Sequence, residues 1–279
     1  MDSYLIEPKQ LNDELYTTRV VLLRAVMKDP FAEKGAPTNH DYLPQARNFD
    51  LEGQGSDKTS ALPHMSPSTE ILSHYLGSLG IAISTPVVVY DDKGIFSAPR
   101  VWWMLKSLGH ESVTVLNGGL PAWKQNGLTL NAEPASPGRN RLYEAKFQST
   151  WFVDKATVIQ AMSSPVQIVD ARSRERFAGK AKEPRAGVVS GHVPDSINLP
   201  FTQLLENDKF KPVDQLAATF TRFGININQP IIVLCGSGVT ACIVGMAALM
   251  CGAKQVSIYD GSWTEWGSCE DCPVETLGD

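Results

Sequence analysis

Short β-branched runs alternate with helical patterns along this chain. Val20–Leu23, Val87–Tyr90, Gln167–Val169 and Ile231–Leu234 each read as a strand, and the intervening stretches carry helical spacing. That alternation predicts an α/β fold of mainly parallel sheets with helices on both faces. Ser66, followed by Pro67 and with Glu70 in the first turn, predicts the capped start of one helix.

The pattern occurs twice. Val87–Asp91, a polar loop, Ser97–Leu105, Val113–Leu116 and Gly118–Trp123 form one copy; Ile231–Cys235, a loop, Thr240–Leu249, Val256–Tyr259 and Gly261–Trp266 form the other. Each copy runs strand, loop, helix, strand, aromatic turn. Upstream, Leu43-Pro44 with Asn48-Phe49 is matched by Val193-Pro194 with Asn198-Leu199. The chain therefore reads as a tandem duplication, and 279 residues suit two domains. Asn131 to Asn140, rich in Pro, Gly and polar residues and without periodicity, is expected to be the linker. The expected domains are then 1–130 and 141–279.

Composition narrows the functional classes. With 43% hydrophobic and 20% charged residues the chain can bury real cores, and no apolar run approaches a bilayer-spanning helix. The first residues, MDSYLIEPKQLNDEL, lack the basic and apolar regions of a secretion signal, so a cytoplasmic chain is expected. A net charge of -5 argues against a nucleic-acid surface. Any anion selectivity must be local. The five cysteines, Cys235, Cys242, Cys251, Cys269 and Cys272, form no plausible disulfide framework and suit a reducing compartment. Cys269-Glu-Asp-Cys272 has CxxC spacing but no second pair or nearby histidine; it reads as half a zinc site, and a solvent-facing tail is the expectation, with a redox or metal role as the alternative.

The stretch LCGSGVTAC, Leu234 to Cys242, carries the sharpest chemical signal. Cys235 ends a strand, where ligands bind in open parallel sheets. Gly236 and Gly238 let successive N–H groups converge near the sulfur, and the following helix, Ala241 to Met250, aims its positive end there. Such a cradle is expected to lower the thiol pKa and make Cys235 nucleophilic. The bland alternative is a tight βα turn of small residues with an incidental thiol. The first copy has Asp91 where the second has Cys235, so the fold persists while the loop chemistry differs. Cysteine phosphatases place an arginine at the sixth position after the cysteine; that position is Ala241, which argues against phosphate ester cleavage.

These residues give the sequence a clear resemblance to the rhodanese superfamily in its tandem form, and within it to the 3-mercaptopyruvate sulfurtransferases, whose loop reads CGSGVTA as at Cys235 to Ala241. Ser97–Met104, Gly191–Pro194 and Tyr259–Trp263 extend the resemblance over nearly the whole chain. It implies two rhodanese-like domains and a persulfide on Cys235 that carries sulfur from 3-mercaptopyruvate to a thiol or cyanide, releasing pyruvate. Ser237, His64 and Glu52 match the group that handles the proton, His64 and Glu52 coming from the first domain; Asp50 is an alternative carboxylate. Arg176 and Arg185 match the clamps on the substrate's carboxylate and keto oxygens, with Gly236, Gly238, Val239 and Thr240 supplying the loop. Arg172 is expected to pair with Asp170 or Glu175, and Phe96 to be at most an apolar wall.

No cofactor or metal is implied, and neither nucleic acid nor membrane is an expected partner. Thioredoxin, a small thiol or cyanide is the expected acceptor. Two other functions remain open. A thiosulfate:cyanide sulfurtransferase is disfavoured by the uncharged loop, and a non-catalytic sulfur-relay or interaction protein by the presence of Cys235.

Overall fold

A computed structural model describes residues 4–15, 17–28 and 41–278. The chain divides into two units, one comprising the chain up to Lys58, Ser66–Gln148 and Asn207–Lys209, the other Thr59–Met65, Ser149–Glu206 and the chain from Phe210. In the first, β1 (Leu5–Ile6), β2 (Val21–Val26), β3 (Arg47–Asp50), β4 (Val87–Tyr90) and β5 (Val113–Leu116) form a parallel sheet in the order β1-β5-β4-β2-β3. In the second, β6 (Phe152–Val153), β7 (Gln167–Asp170) and β8 (Ile197–Asn198) join β11 (Ile231–Leu234) and β12 (Val256–Tyr259). β9 (Leu205–Glu206) and β10 (Lys209–Phe210) make a separate two-stranded ribbon. The second sheet is ordered β6-β12-β11-β7-β8, the same permutation as the first.

The strands β4 and β11 are buried throughout because both faces are covered. Val88 and Tyr90 join a cluster with Leu11 of α1 (Pro8–Glu14) and with Leu120 and Trp123 of α4 (Gly119–Gln125). Val87 and Val89 point the other way, where α3 (Ala98–Ser107) packs and Trp102 Nε1 donates to Val113 O at 3.0 Å. The second sheet repeats the plan. Ile232 and Leu234 meet α5 (Lys155–Ala161) and α9 (Ser262–Trp266), while α8 (Ala241–Met250) covers the opposite face of β11 and β12 and packs on α7 (Val213–Arg222). No helix among the described residues is long and apolar enough to cross a membrane.

Three boundaries differ from the sequence expectation. The helix expected to start from Ser66 is α2 (Thr69–Ser78), and its cap is Ser68, whose Oγ accepts from Ile71 N at 3.3 Å. The helix starts two residues later than expected because it is the Ser68 hydroxyl, not that of Ser66, that accepts from the first turn. Residues 131–140 are counted with the first unit, and the division falls after Gln148: Asn131 bridges Tyr42, Ala135 N donates to Ala46 O, and Arg141 N donates to Gly77 O. A segment without periodicity is held there by backbone hydrogen bonds. Conversely, Thr59–Met65 is counted with the second unit, although it lies far upstream in sequence.

Candidate active site

β11 is flanked on both sides, by β12 and β7, and delivers Cys235 at its C-terminal end, 2% exposed. The loop is anchored by its carbonyls and first amide. Cys235 N donates to Ser262 Oγ at 3.2 Å and Cys235 O accepts from Trp263 N at 2.9 Å. Gly236 O accepts from both Thr264 N at 3.0 Å and Thr264 Oγ1 at 2.6 Å. The N–H groups of Gly236, Ser237, Val239 and Thr240 have no partner among the described residues. Gly238 adopts a φ of 73°, which a side chain would resist. The carbonyls of Cys235 and Gly236 are thus spent on α9 and those of Val239 and Thr240 on the first turn of α8, while the loop's amides lie between Cys235 and the N-terminus of α8 in the chain.

The sister loop in the first unit shows what those amides are suited to hold. Asp91 ends β4 as Cys235 ends β11, and its carbonyl accepts from Leu120 N at 2.9 Å as that of Cys235 does from Trp263. Its carboxylate accepts from the amides of Lys93, Phe96 and Ala98 at 2.9, 2.8 and 2.8 Å. A carboxyl group of the chain itself fills that loop, its pKa raised by burial and drawn back by those three amides. In the second unit a sulfur stands in the same place.

His64 and Ser237 are brought together, with Nδ1 2.9 Å from Oγ, and both belong to the second unit. His64 has φ 60°, a left-handed conformation that costs a non-glycine residue on the order of 1–2 kcal/mol and has to be imposed by its surroundings. Glu52 lies in the first unit, after β3, where Oε1 accepts from Lys28 N at 3.3 Å. Asp50 closes its own turn: Oδ1 accepts from Glu52 N at 3.0 Å and Gly53 N at 2.9 Å.

The arginines form a connected set. Arg172 is buried and clasps Asp170 through Nε at 3.0 Å, its other end donating to Glu183 Oε1 at 2.9 Å and Gly191 O at 2.7 Å. Arg172 therefore pairs with Asp170 and Glu183, not Glu175. Glu183, whose side chain is 3% exposed, also binds Arg176 through Nε at 3.1 Å and through Nη2. That carboxylate turns Arg176 toward the loop: a Cβ added at Gly236 would lie 3.1 Å from Arg176 Nη2. Arg185 Nη1 reaches Thr264 Oγ1 at 3.4 Å, one hydrogen bond removed from Gly236 O. Both expected clamps converge on Gly236 from outside the loop.

Cys242 lies at the start of α8, wholly buried, its thiol donating to Gly238 O at 3.3 Å, which is a packing role. Sequence reasoning missed Ser262, Thr264 and Glu183. Ser262 has φ 51° where the first copy has Gly119 at 48°, so the repeat itself carried a signal: a serine kept in a glycine's conformation because its hydroxyl holds Cys235 N.

A model of the Rhodanese-like domain matches residues 28–126 and again residues 154–269. The chain belongs to the rhodanese family. Among curated rhodanese relatives, the 3-mercaptopyruvate sulfurtransferase of Escherichia coli strain K12 is 40% identical over 241 residues, covering 85% of this chain and 84% of that protein. The mitochondrial thiosulfate/3-mercaptopyruvate sulfurtransferase 1 of Arabidopsis thaliana is 42% identical over 260 residues, 85% of this chain and 68% of its own length. The crystal structure of SseA from Escherichia coli, a 3-mercaptopyruvate sulfotransferase of the same fold, superimposes with a TM-score of 0.83 at 34% identity, covering 94% of this chain and 99% of that one.

Proposed function

We propose that this sulfurtransferase takes its sulfur from 3-mercaptopyruvate and carries it as a persulfide on Cys235. The Cys235 thiolate attacks the sulfur of the donor, the S–S bond forms as the C–S bond breaks, and the electron pair leaves on the pyruvate enolate. A proton delivered to the enolate carbon completes pyruvate. A thiol then takes the outer sulfur and becomes a persulfide itself, or cyanide takes it and becomes thiocyanate, and the Cys235 thiolate is restored. Ser237 and His64 handle the proton, Glu52 is the carboxylate assigned to His64, and Arg176 and Arg185 hold the donor's carboxylate and keto oxygens.

The observation that carries this reading is the contrast between the two loops, one closed by the Asp91 carboxyl and the other carrying Cys235 ahead of amides that have no partner among the described residues. The amides of Gly236, Ser237, Val239 and Thr240 suit the charge of a thiolate or persulfide. A cytoplasmic setting and a thioredoxin-like or small-thiol acceptor belong to the same reading, supported by five free cysteines. Intact-mass measurement after brief exposure to 3-mercaptopyruvate tests it. A gain of one sulfur atom, absent from Cys235→Ser and discharged by a thiol, is expected; an unchanged mass, or the same gain in Cys235→Ser, overturns it.

Thiosulfate is the second candidate donor. Arg176 beside Gly236 brings a positive charge to a loop that has none of its own, which favours some use of this dianion.

A further inference from the structure

The expectation of a solvent-facing tail at Cys269 and Cys272 does not survive. Cys272 is 8% exposed and packs in the cluster of Tyr259, Trp263 and Trp266, while Cys269 sits at its edge, partly exposed. Among the described residues there is no group of three or more His, Cys, Asp or Glu that could hold a metal ion.

The segment is built as a fixed turn. Cys272 N donates to Cys269 O at 3.2 Å, which closes a four-residue turn. The ends of such a turn lie within about 7 Å, overlapping the roughly 4.4–6.8 Å that a disulfide spans between Cα atoms. Both flanks are pinned. Cys269 N donates to Trp266 O at 3.1 Å, Trp266 Nε1 donates to Pro273 O at 2.9 Å, and Glu275 exchanges backbone bonds with His192.

The two thiols differ in kind. The Cys272 thiol, donating to Cys269, holds the Cys269 sulfur below its ordinary pKa, helped by the Asp271 amide and by the Lys155 ammonium 3.5 Å away. Burial pushes Cys272 up to about 12. One sulfur is thus an accessible nucleophile beside a cation, and the other is a protonated thiol in the core beside it. Cys251 is a contrast within the same chain, pushed up to about 11 by burial.

We propose that Cys269 and Cys272 form a redox site, distinct from Cys235, that is oxidised to an internal disulfide by thiol exchange with low-molecular-weight disulfides. The Cys269 thiolate attacks one sulfur of the disulfide, forming a mixed disulfide and releasing one thiolate. Cys272 gives up its proton and attacks the Cys269 sulfur, and the second thiol leaves. In sum, the protein dithiol and one small disulfide become one protein disulfide and two small thiols, with no other oxidant. Lys155 favours the attacking thiolate, and the turn brings the resolving thiol within reach.

The test uses the reduced full-length protein, pulsed with glutathione disulfide, acid-quenched, alkylated and mapped by peptide mass. Wild type is expected to lose two hydrogens on the peptide carrying 269–272. Cys272→Ser should retain one glutathione on Cys269, and Lys155→Met in that background should slow adduct formation severalfold. Cys269→Ser should show neither bridge nor adduct at Cys272. A wild-type adduct on Cys269 that never resolves, or a Cys272 that reacts as fast without Cys269, overturns the proposal. Should Cys272→Ser fail to fold, alkylation rates in wild type decide: Cys269 reacting much faster than Cys251 supports the site, and equal rates refute it.

Discussion

Cys235 and Asp91 occupy equivalent strand ends, and the difference between them is one of charge and chemistry, not of fold. The Asp91 carboxyl in the first loop ties three amides into a closed turn, whereas in the second loop a thiol stands in its place and the amides of Gly236, Ser237, Val239 and Thr240 have no partner among the described residues. His64 Nδ1 lies 2.9 Å from Ser237 Oγ, and both residues belong to the second unit. A positioned proton donor typically contributes on the order of a hundredfold or more. His64→Ala and Ser237→Ala are each expected to lower kcat with 3-mercaptopyruvate. The double variant should lose less than the product of the two, because one proton path is broken either way. Strictly multiplicative losses in steady-state kinetics would show that the two side chains act separately. Cys242→Ala, by contrast, removes a buried thiol that donates to Gly238 O and should leave kcat and KM close to wild type.

At the scale of elements, the segment after β7 supplies charge to a loop that carries none. Glu183 joins the Arg172 that clasps β7 to the Arg176 that faces Gly236, so a single carboxylate holds both guanidinium groups. Glu183→Gln keeps the shape but removes the charge that holds both guanidinium groups. Hydrogen bonds to charged groups contribute about 1.5–3 kcal/mol each. We expect a lower Tm and a KM for 3-mercaptopyruvate raised severalfold or more, with a smaller change in kcat. On the proposed reading, donor choice would follow from the same geometry: a three-carbon keto acid would need both Arg176 and Arg185, while thiosulfate, a compact dianion, would be served by the nearer charge alone. The kcat/KM for 3-mercaptopyruvate should exceed that for thiosulfate. Arg185→Ala should cut use of 3-mercaptopyruvate by roughly tenfold to a hundredfold, the kinetic equivalent of one charge-assisted contact, and affect thiosulfate less. Comparable efficiencies for the two donors in wild type would mean that the clamps are misassigned.

For the molecule as a whole, the same strand order is built twice, and each unit carries its own buried polar fixtures. In the first, His110 is fully buried, with Nε2 donating to Thr85 O at 2.9 Å and Nδ1 accepting from Tyr143 OH at 3.0 Å. This contact helps hold the stretch up to Gln148 on the first unit. Burial, above all, keeps the His110 imidazole below its ordinary value of 6.5. The unfolded chain therefore binds that proton more readily. The stability His110 confers as a neutral group is complete above a pH of about 6.5 and declines as pH falls toward its folded value. Thermal unfolding followed from about pH 7.5 down to about pH 5 should show a steeper fall in Tm for wild type than for His110→Gln, which is less stable but has no proton to take up at that position.

Much of this protein is written in local pattern. Val87–Tyr90 and Ile231–Leu234 are strands over the residues that their apolar runs mark, α8 spans Ala241–Met250 as its composition implies, and the tandem repeat is visible residue by residue. Glycines at 236 and 238, placed shortly after a strand, mark Cys235 as a candidate, because backbone freedom and strand-end position are encoded within a few residues. What lies beyond that reach was decided by packing. That Thr59–Met65 belongs with the second unit, that Glu183 and not Glu175 pairs with Arg172, that residues 131–140 lie along the first unit, and that Cys272 is core while Cys269 is edge all depend on partners far away in sequence. Strand and helix are set by the spacing of apolar side chains and the few backbone angles each residue tolerates. The partner of a buried charge or an unpaired amide is set instead by which distant group is close enough, once the sheets have formed, to replace the water it has lost.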